Sequence, residues 1–104
     1  MTNSRSKGRR GETSARHLLE SRDYTCEDLS AGRASCDILA IKNGIAHYVE
    51  VKNRQVINPV AFRKQAVKNC KSNGRWMVLA KIEGSRSWLV LRQGERPVVW
   101  HEPS

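Results

Sequence analysis

Two carboxylates and a lysine lie on a segment whose sequence predicts a β-hairpin. Residues 36–52 read CDILAIKNGIAHYVEVK, with an Asn-Gly pair at positions 43–44 between two β-prone runs. Such a pair is the strongest short-range signal for a two-residue hairpin turn. In that register Asp37 lies opposite Glu50, and opposed residues point to the same face of a sheet. Lys52, two residues beyond Glu50, shares that face.

Opposed carboxylates destabilise a sheet unless a cation lies between them. Asp37, Glu50 and the carbonyl of Val51 would form a hard oxygen site, which suits Mg²⁺ or Mn²⁺ with waters in the remaining positions. Such a cation lowers the pKa of a bound water and stabilises charge on a phosphodiester. Lys52 would hold or activate the water, or neutralise the developing charge. The three histidines and three cysteines are dispersed, without zinc-like spacing.

The rest of the chain predicts an α/β fold, a mixed central β-sheet with flanking helices in the order α-β-β-β-α-β-β. Outside the hairpin, the expected elements are a flexible basic arm (1–7), a helix (8–22), a strand (24–29), a loop (30–35), a second helix (59–73) and two strands (75–82 and 87–92). Residues 97–100 are a further candidate edge strand. The apolar run 38–41 suggests a strand covered on both faces. After the arm, residues 8–104 are expected to form a single domain.

Glu12 lies on the apolar face of the first predicted helix, three residues before Ala15 and seven before Leu19. A carboxylate on an apolar stripe is costly unless it has a partner. Two interpretations stay open. Glu12 is either a helix-start residue favoured by the macrodipole, or a third carboxylate directed at the hairpin.

The second predicted helix has an apolar stripe of Phe62, Ala66, Val67 and Cys70, with Gln65 and Asn69 at its edge. Pro59 suits its first turn, and the residue before it, Asn58, is a candidate N-cap.

The charge pattern indicates a polyanionic partner. Nineteen Lys and Arg against ten Asp and Glu give a net charge of +9. Between Glu50 and Glu83 there is no acidic residue. Nucleic acid is the expected partner of such a surface; the alternative is a solvated face that binds nothing. No apolar run approaches the roughly 20 residues of a membrane span, and no signal peptide is visible. A cytoplasmic protein with reduced cysteines is therefore expected.

The motif resembles that of the PD-(D/E)XK nuclease superfamily: Asp37, twelve intervening residues, then Glu50-Val51-Lys52. Lys7-Gly8 followed by Glu12 precedes it, at the start of the first predicted helix, and a helix bearing Gln65 follows. Together these features resemble the archaeal-type Holliday junction resolvases, a family also found in bacterial viruses. There are two departures: Cys36 stands where the family usually has Pro, and the family's glycine-rich loop is reduced to a single glycine, Gly32.

The resemblance implies a restriction-endonuclease-like fold and a homodimer that cuts opposed strands of a four-way DNA junction, in the host cytoplasm if the protein is viral. Glu12, Asp37 and Glu50 would bind or shape the metal site, Lys52 would be catalytic, and Gln65 would support the site or contact a phosphate. Expected DNA contacts come from basic and loop residues: Lys7, Arg9, Arg10, Ser30, Arg33, Ser35, Arg54, Lys64 and Lys68.

Two other functions stay open. One is a nicking, repair or restriction-type nuclease of the same superfamily that acts on ordinary duplex or flaps. The other is a basic nucleic-acid-binding module without catalysis, which accounts for the charge but not for the two opposed carboxylates. The apolar residues left over for a dimer interface, or alternatively for covering the core, are Trp76, Trp88, Val98, Val99 and Trp100.

Overall fold

A six-stranded sheet carries the hairpin and has one helix on each face. The computed structural model describes residues 4–28 and 36–103, with side chains from residue 11 onward. The elements are α1 (Ser4–Ser21), β1 (Thr25–Asp28), β2 (Ile38–Lys42), β3 (Ile45–Arg54), α2 (Pro59–Asn69), β4 (Arg75–Ile82), β5 (Ser87–Arg92) and β6 (Val98–His101). The strands lie side by side in chain order. β3 and β4 are parallel, and the other neighbours are antiparallel.

The expected mixed α/β architecture is present, with one additional strand and two shifted helix ends. The chain has one strand more than the order α-β-β-β-α-β-β, because residues 98–101 pair with β5 at the sheet edge. α1 begins at Ser4, inside the segment 1–7 that was assigned to a flexible arm. α2 ends at Asn69 rather than at residue 73.

Local chemistry explains the start of α2, and tertiary contacts explain its end. Asn58 caps the helix, since its side chain accepts a hydrogen bond of 3.2 Å from the N–H of Ala61, and proline occupies the first turn. After the helix, Asn73 accepts a hydrogen bond of 2.9 Å from the hydroxyl of Tyr48. Gly74 lies against the ring of Tyr48, so closely that a Cβ there would overlap it. These contacts fix the connection between the helix and β4, so α2 ends four residues earlier than predicted while β4 begins at Arg75 as predicted.

Each helix covers its own apolar layer. Between α1 and the sheet lies the larger core: Ala15, Leu18, Leu19, Tyr24, Ile38, Ala40, Val49, Met77, Leu79, Trp88, Val90 and Trp100. Between α2 and the other face lies a smaller one: Ala66, Val78, Ala80 and Leu91, with Phe62, Trp76 and Leu89 against them. Trp88 is fully buried and Trp100 is 7% exposed. The interpretation of these two tryptophans as dimer-interface residues is therefore wrong, and they cover the chain's own core.

Two further sequence expectations fail because α2 packs over β3 and β4 and not over β2. Ile41, in the run expected to be covered on both faces, is 40% exposed. Val67, assigned to the buried stripe of α2, is 50% exposed, whereas Ala66 is buried. The smaller core thus lies beside β3, over β4 and β5, on the same face of the sheet as Glu50 and Lys52.

Candidate active site

The hairpin forms with the register that the Asn-Gly pair predicts. Asn43 and Gly44 both have positive φ, 53° and 76°, as a type I′ turn requires. The strands stay in register from this turn to the pair Ile38 and Val49. The predicted register is therefore confirmed for these pairs, and it determines the face of the sheet that each β3 side chain occupies.

Asp37 lies just outside the β2–β3 ladder and is not paired with Glu50, its predicted partner. Its backbone N–H donates to the carbonyl of Val49 at 3.0 Å, and its Oδ2 accepts a hydrogen bond of 2.8 Å from the N–H of Val51. In a continued ladder that N–H would bond to the carbonyl of residue 36, so the carboxylate replaces a main-chain acceptor. The predicted backbone pairing of Asp37 with Glu50 is wrong, because β2 begins only at Ile38. The carboxylate of Asp37 is nevertheless held against the strand that carries Glu50.

Glu50 is a buried carboxylate, only 3% exposed. Its Oε1 accepts a hydrogen bond of 3.0 Å from Nδ2 of Asn69 on α2. Burial raises the pKa of Glu50; the Asn69 hydrogen bond and the charge of Lys52 act in the opposite direction, while the charge of Asp37 raises it further. The net pKa is above the ordinary value. A cation beside the two carboxylates would offset both burial and repulsion.

Lys52 projects from the same face of β3 as Glu50 and is 9% exposed. Its Nζ lies 5.8 Å from the ring centroid of Phe62 on α2, within the range of a cation–π contact. Among the residues that the structure describes, Lys52 has no carboxylate partner within ion-pair distance. Its ammonium is thus held beside the carboxylates and is available to an incoming anion.

The carbonyl of Val51 completes the set of oxygens. In an antiparallel pair the N–H and C=O of one residue point to the same neighbouring strand. Since the N–H of Val51 points to Asp37, its carbonyl points to the same side, where β2 has not yet begun. Its side chain packs on the opposite face, against the larger core.

α2 lies antiparallel to β3 and presents one face to the site. Phe62 is beside Lys52 and Asn69 is beside Glu50. Gln65 is exposed and lies between these two on the same helix face, at spacings of three and four residues. The structure therefore brings Gln65 to the level of the site, but Asn69 makes the described hydrogen bond to Glu50. The spacing of four residues between the two amides was the available signal for Asn69.

Glu12 approaches from the other face of the sheet. α1 crosses close to β3, since a Cβ on Gly11 would lie 3.0 Å from that of Asn53. Glu12 is part-exposed and lines a cavity of about 330 Å³ together with Ile38, the residue after Asp37. Because α1 begins eight residues before Glu12, the helix-start interpretation of this residue is wrong.

The oxygens available here, two carboxylates and one carbonyl, are of the chemical type that a hard divalent cation binds. Within residues 11–28 and 36–103, no three His, Cys, Asp or Glu side chains are grouped as metal ligands, so Glu12 does not form a three-carboxylate cluster with Asp37 and Glu50. An all-oxygen set completed by waters suits Mg²⁺ or Mn²⁺. Cys36, which precedes Asp37, is buried, and burial and the charges of Glu50 and Asp37 raise its pKa to about 11. In the metal-free site the thiolate form of Cys36 is therefore disfavoured.

The predicted DNA contacts divide into described and undescribed residues. Arg54, Lys64 and Lys68 are exposed: Arg54 ends β3, and the two lysines lie on the outward side of α2. The other predicted contacts lie outside the described side chains: Lys7, Arg9, Arg10, Ser30, Arg33 and Ser35.

The sequence matches no protein-family model and no curated protein. No helix in the described part of the chain is long and apolar enough to cross a membrane.

Proposed function

We propose that the protein is a Mg²⁺- or Mn²⁺-dependent DNA endonuclease with a restriction-endonuclease-like fold, selective for branched DNA. The arrangement that supports the proposal is the carboxylate of Asp37 bound to the N–H of Val51, with Glu50 and Lys52 on either side of that residue. Glu50 is a buried carboxylate with a raised pKa and a neighbouring acid, in a chain of net charge +9. This arrangement costs folding free energy, and a catalytic cation would give it a use.

Each group has a role that its environment suits. Asp37, Glu50 and the Val51 carbonyl would hold the cation, which supplies a water of lowered pKa and stabilises charge on the phosphodiester. Lys52 neutralises the negative charge that develops on the phosphorus-bound oxygens. Asn69 keeps Glu50 in one orientation, and Gln65 is placed to contact the water or a phosphate.

The basic surface beside the site would guide the DNA backbone. Arg54 lies two residues beyond Lys52, and Lys64 and Lys68 lie on the helix that covers the site. Such contacts position a polyanion without reading its sequence, so selectivity would come from the shape of the substrate. Two cuts in a four-way junction require two sites, so the proposal includes a homodimer.

A nuclease that nicks ordinary duplex is the second candidate, and the burial of the tryptophans favours it. With Trp88 and Trp100 inside the chain's own core, Val99, at 56% exposed, is the large apolar residue left exposed on β6. A protein that works as a monomer would make single cuts.

The test is cleavage of labelled DNA with Mg²⁺ by the wild type, Asp37→Asn and Glu50→Gln. Both variants keep the size of the side chain and an oxygen acceptor, so the hydrogen bonds from Val51 and Asn69 can persist. We expect losses of about 100-fold or more, as for removal of a group that acts on the transition state. The matched controls are Asp23→Asn and Glu83→Gln, which make the same charge changes at exposed positions and should cut normally. Cleavage that survives both site substitutions would refute a nuclease at this site.

Substrate and assembly are decided by a panel of four-way junction, flap and linear duplex at one salt concentration, because phosphate contacts weaken steeply with salt. A junction preference with paired cuts, together with a dimeric mass in solution scattering, supports the resolvase. Equal cutting of linear duplex by a monomer supports the nicking enzyme. DNA binding without Mg²⁺ binding in calorimetry would leave the non-catalytic module.

A further inference from the structure

A second polar cavity lies at the hairpin end of the sheet, on the face that α1 covers. Its volume is about 240 Å³, below the roughly 300–1,000 Å³ of pockets for drug-sized ligands, so it suits a small group. The side chains that determine its chemistry are Tyr24, Lys42, His47, Arg75, Arg92 and Glu95.

This cavity is separate from the carboxylate site. His47 shares its face of β3 with Val49, which belongs to the larger core, whereas Glu50 points to the opposite face. Along the strand, His47 and Glu50 are about 10 Å apart at the usual rise per residue. One phosphodiester could not occupy both places.

Two of the cations around the cavity, Lys42 and Arg92, are held in place by contacts. Nζ of Lys42 donates to the carbonyl of Arg22 at 2.9 Å and lies 5.0 Å from the ring centroid of Tyr24. The guanidinium of Arg92 lies 5.2 Å from the ring of Trp100. A third cation, Arg75, is exposed and is the direct neighbour of His47 in the parallel register of β3 and β4. Two cations with ordered positions and a third beside them offer a binding site for an anion.

Arg92 also has an unused donor. Its Nε is buried and has no hydrogen-bond partner within the part of the chain that the structure describes. A buried donor without a partner costs free energy. A ligand oxygen reaching this nitrogen would remove that cost.

The positive charges around the cavity affect the pKa of His47. Its Nδ1 lies 3.2 Å from the carbonyl of Ala40, so Nδ1 carries the proton that this hydrogen bond needs. Burial lowers the pKa of His47, and the charges of Arg75 and Arg92 lower it further, partly offset by backbone hydrogen bonds. An anion bound between these groups would therefore raise the pKa of His47.

Glu95 competes with an external anion for the guanidinium of Arg92. Its carboxylate pairs with Arg92 at 2.7 Å and is 49% exposed. It follows Gly94, whose φ of 77° lies in the left-handed region, so the carboxylate is carried on a turn at the mouth of the cavity. This carboxylate occupies the guanidinium that an external anion would use.

We infer that this cavity binds a phosphate group, through Arg75, Arg92 and Lys42, in competition with the carboxylate of Glu95. The phosphate belongs either to a nucleic-acid backbone or to a free phosphate compound. The inference does not depend on the proposed nuclease, because it concerns residues on the opposite face of the sheet.

The test is a titration of the protein with inorganic phosphate at low chloride, followed by NMR signals of the His47 ring. We expect saturable shifts and an increase in the pKa of His47 at saturation. Arg75→Ala should weaken phosphate binding by about tenfold, and Glu95→Gln should strengthen it by roughly threefold. The matched controls are Lys71→Ala and Glu83→Gln, exposed residues away from the cavity, which should bind as the wild type does. Absence of saturation, or equal effects of Arg75→Ala and Lys71→Ala, would overturn the inference.

Two further arms identify the source of the phosphate. If it is nucleic-acid backbone, Arg75→Ala should weaken binding of a short DNA duplex more than Lys71→Ala does. If it is a free compound, a mononucleotide should shift the His47 signals while duplex affinity is unchanged by Arg75→Ala. Asp37→Asn should bind phosphate here as the wild type does, so failure of the nuclease proposal would leave this result intact.

Discussion

The carboxylate of Asp37 accepts a hydrogen bond of 2.8 Å from the backbone N–H of Val51. The side chain proposed to be catalytic therefore also closes the end of the β2–β3 ladder. One structural role and one proposed catalytic role therefore fall on the same residue. The ladder uses an oxygen at this position, whereas only the proposed cation site uses its negative charge.

Substitutions of Asp37 should separate these two functions. Asp37→Asn keeps an acceptor for Val51 and should leave the free energy of unfolding within about 0.5 kcal/mol of the wild type, while Mg²⁺-dependent cleavage falls by about 100-fold or more. Asp37→Ala leaves the N–H of Val51 without its partner and should cost about 1–3 kcal/mol. Urea unfolding measures both. Equal stability of the two variants would contradict the structural half of this role.

Glu50 should destabilise the metal-free protein at neutral pH. Because its pKa is raised in the folded state, mainly by burial, the folded protein binds more protons than the unfolded chain between the two pKa values. The favourable contribution of Glu50 is complete below the unfolded pKa and is lost as pH rises through the folded pKa. Glu50→Gln should therefore have a higher Tm than the wild type at pH 7, and the difference should vanish in acid.

Mg²⁺ adds a second readout to the Glu50 experiment. A cation that binds the folded state raises Tm by mass action, so Mg²⁺ should stabilise the wild type and not Glu50→Gln. The exposed substitution Glu83→Gln serves as the control and should respond to Mg²⁺ as the wild type does. Equal Mg²⁺ responses in all three proteins would argue against a cation site at Glu50.

The hairpin register was predictable because an Asn-Gly pair constrains the backbone locally. The position of Glu50 on β3 and that of Asp37 beside it followed from that pair. The departure of Asp37 from the ladder did not, because it depends on a side chain replacing a main-chain acceptor.

Features that depend on contacts between residues far apart in the chain were harder to predict from the sequence. α2 ends early because Tyr48 contacts Asn73 and Gly74, which lie about 25 residues later in the chain. The burial of Trp88 and Trp100 depends on the pairing of β6 with β5, which hydrophobicity alone does not reveal. Asn69 was visible only as the edge of an apolar stripe, and its partner became clear from the direction of α2 across β3.

Asn69 should act as a positioning residue for Glu50. Its hydrogen bond lowers the pKa of Glu50 against the effect of burial, so Asn69→Ala should raise that pKa. If cleavage requires ionised Glu50, the acid limb of the pH–rate profile moves to higher pH. Asn69→Asp should shift it further, because a second negative charge lies beside Glu50. The exposed substitution Ser72→Ala is the control. An unchanged profile with a uniformly lower rate would indicate a merely structural role for Asn69.

Glu102 should stabilise the far edge of the sheet in a pH-dependent way. Its Oε1 accepts hydrogen bonds of 2.9 Å from both Lys81 and the indole of Trp88, and Lys81 is itself 9% exposed. Burial alone would raise the pKa of Glu102, but these hydrogen bonds and the charges of Lys81 and Arg86 outweigh it and lower the pKa. The stabilisation is thus present above the unfolded pKa and is lost as pH falls through the folded pKa.

Glu102→Gln should cost about 1–3 kcal/mol at pH 7 and less in acid, as measured by urea unfolding at several pH values. The control is Glu95→Gln, whose carboxylate is half exposed and should contribute under about 1 kcal/mol. A cost for Glu102→Gln that does not change with pH would assign its effect to shape rather than to charge.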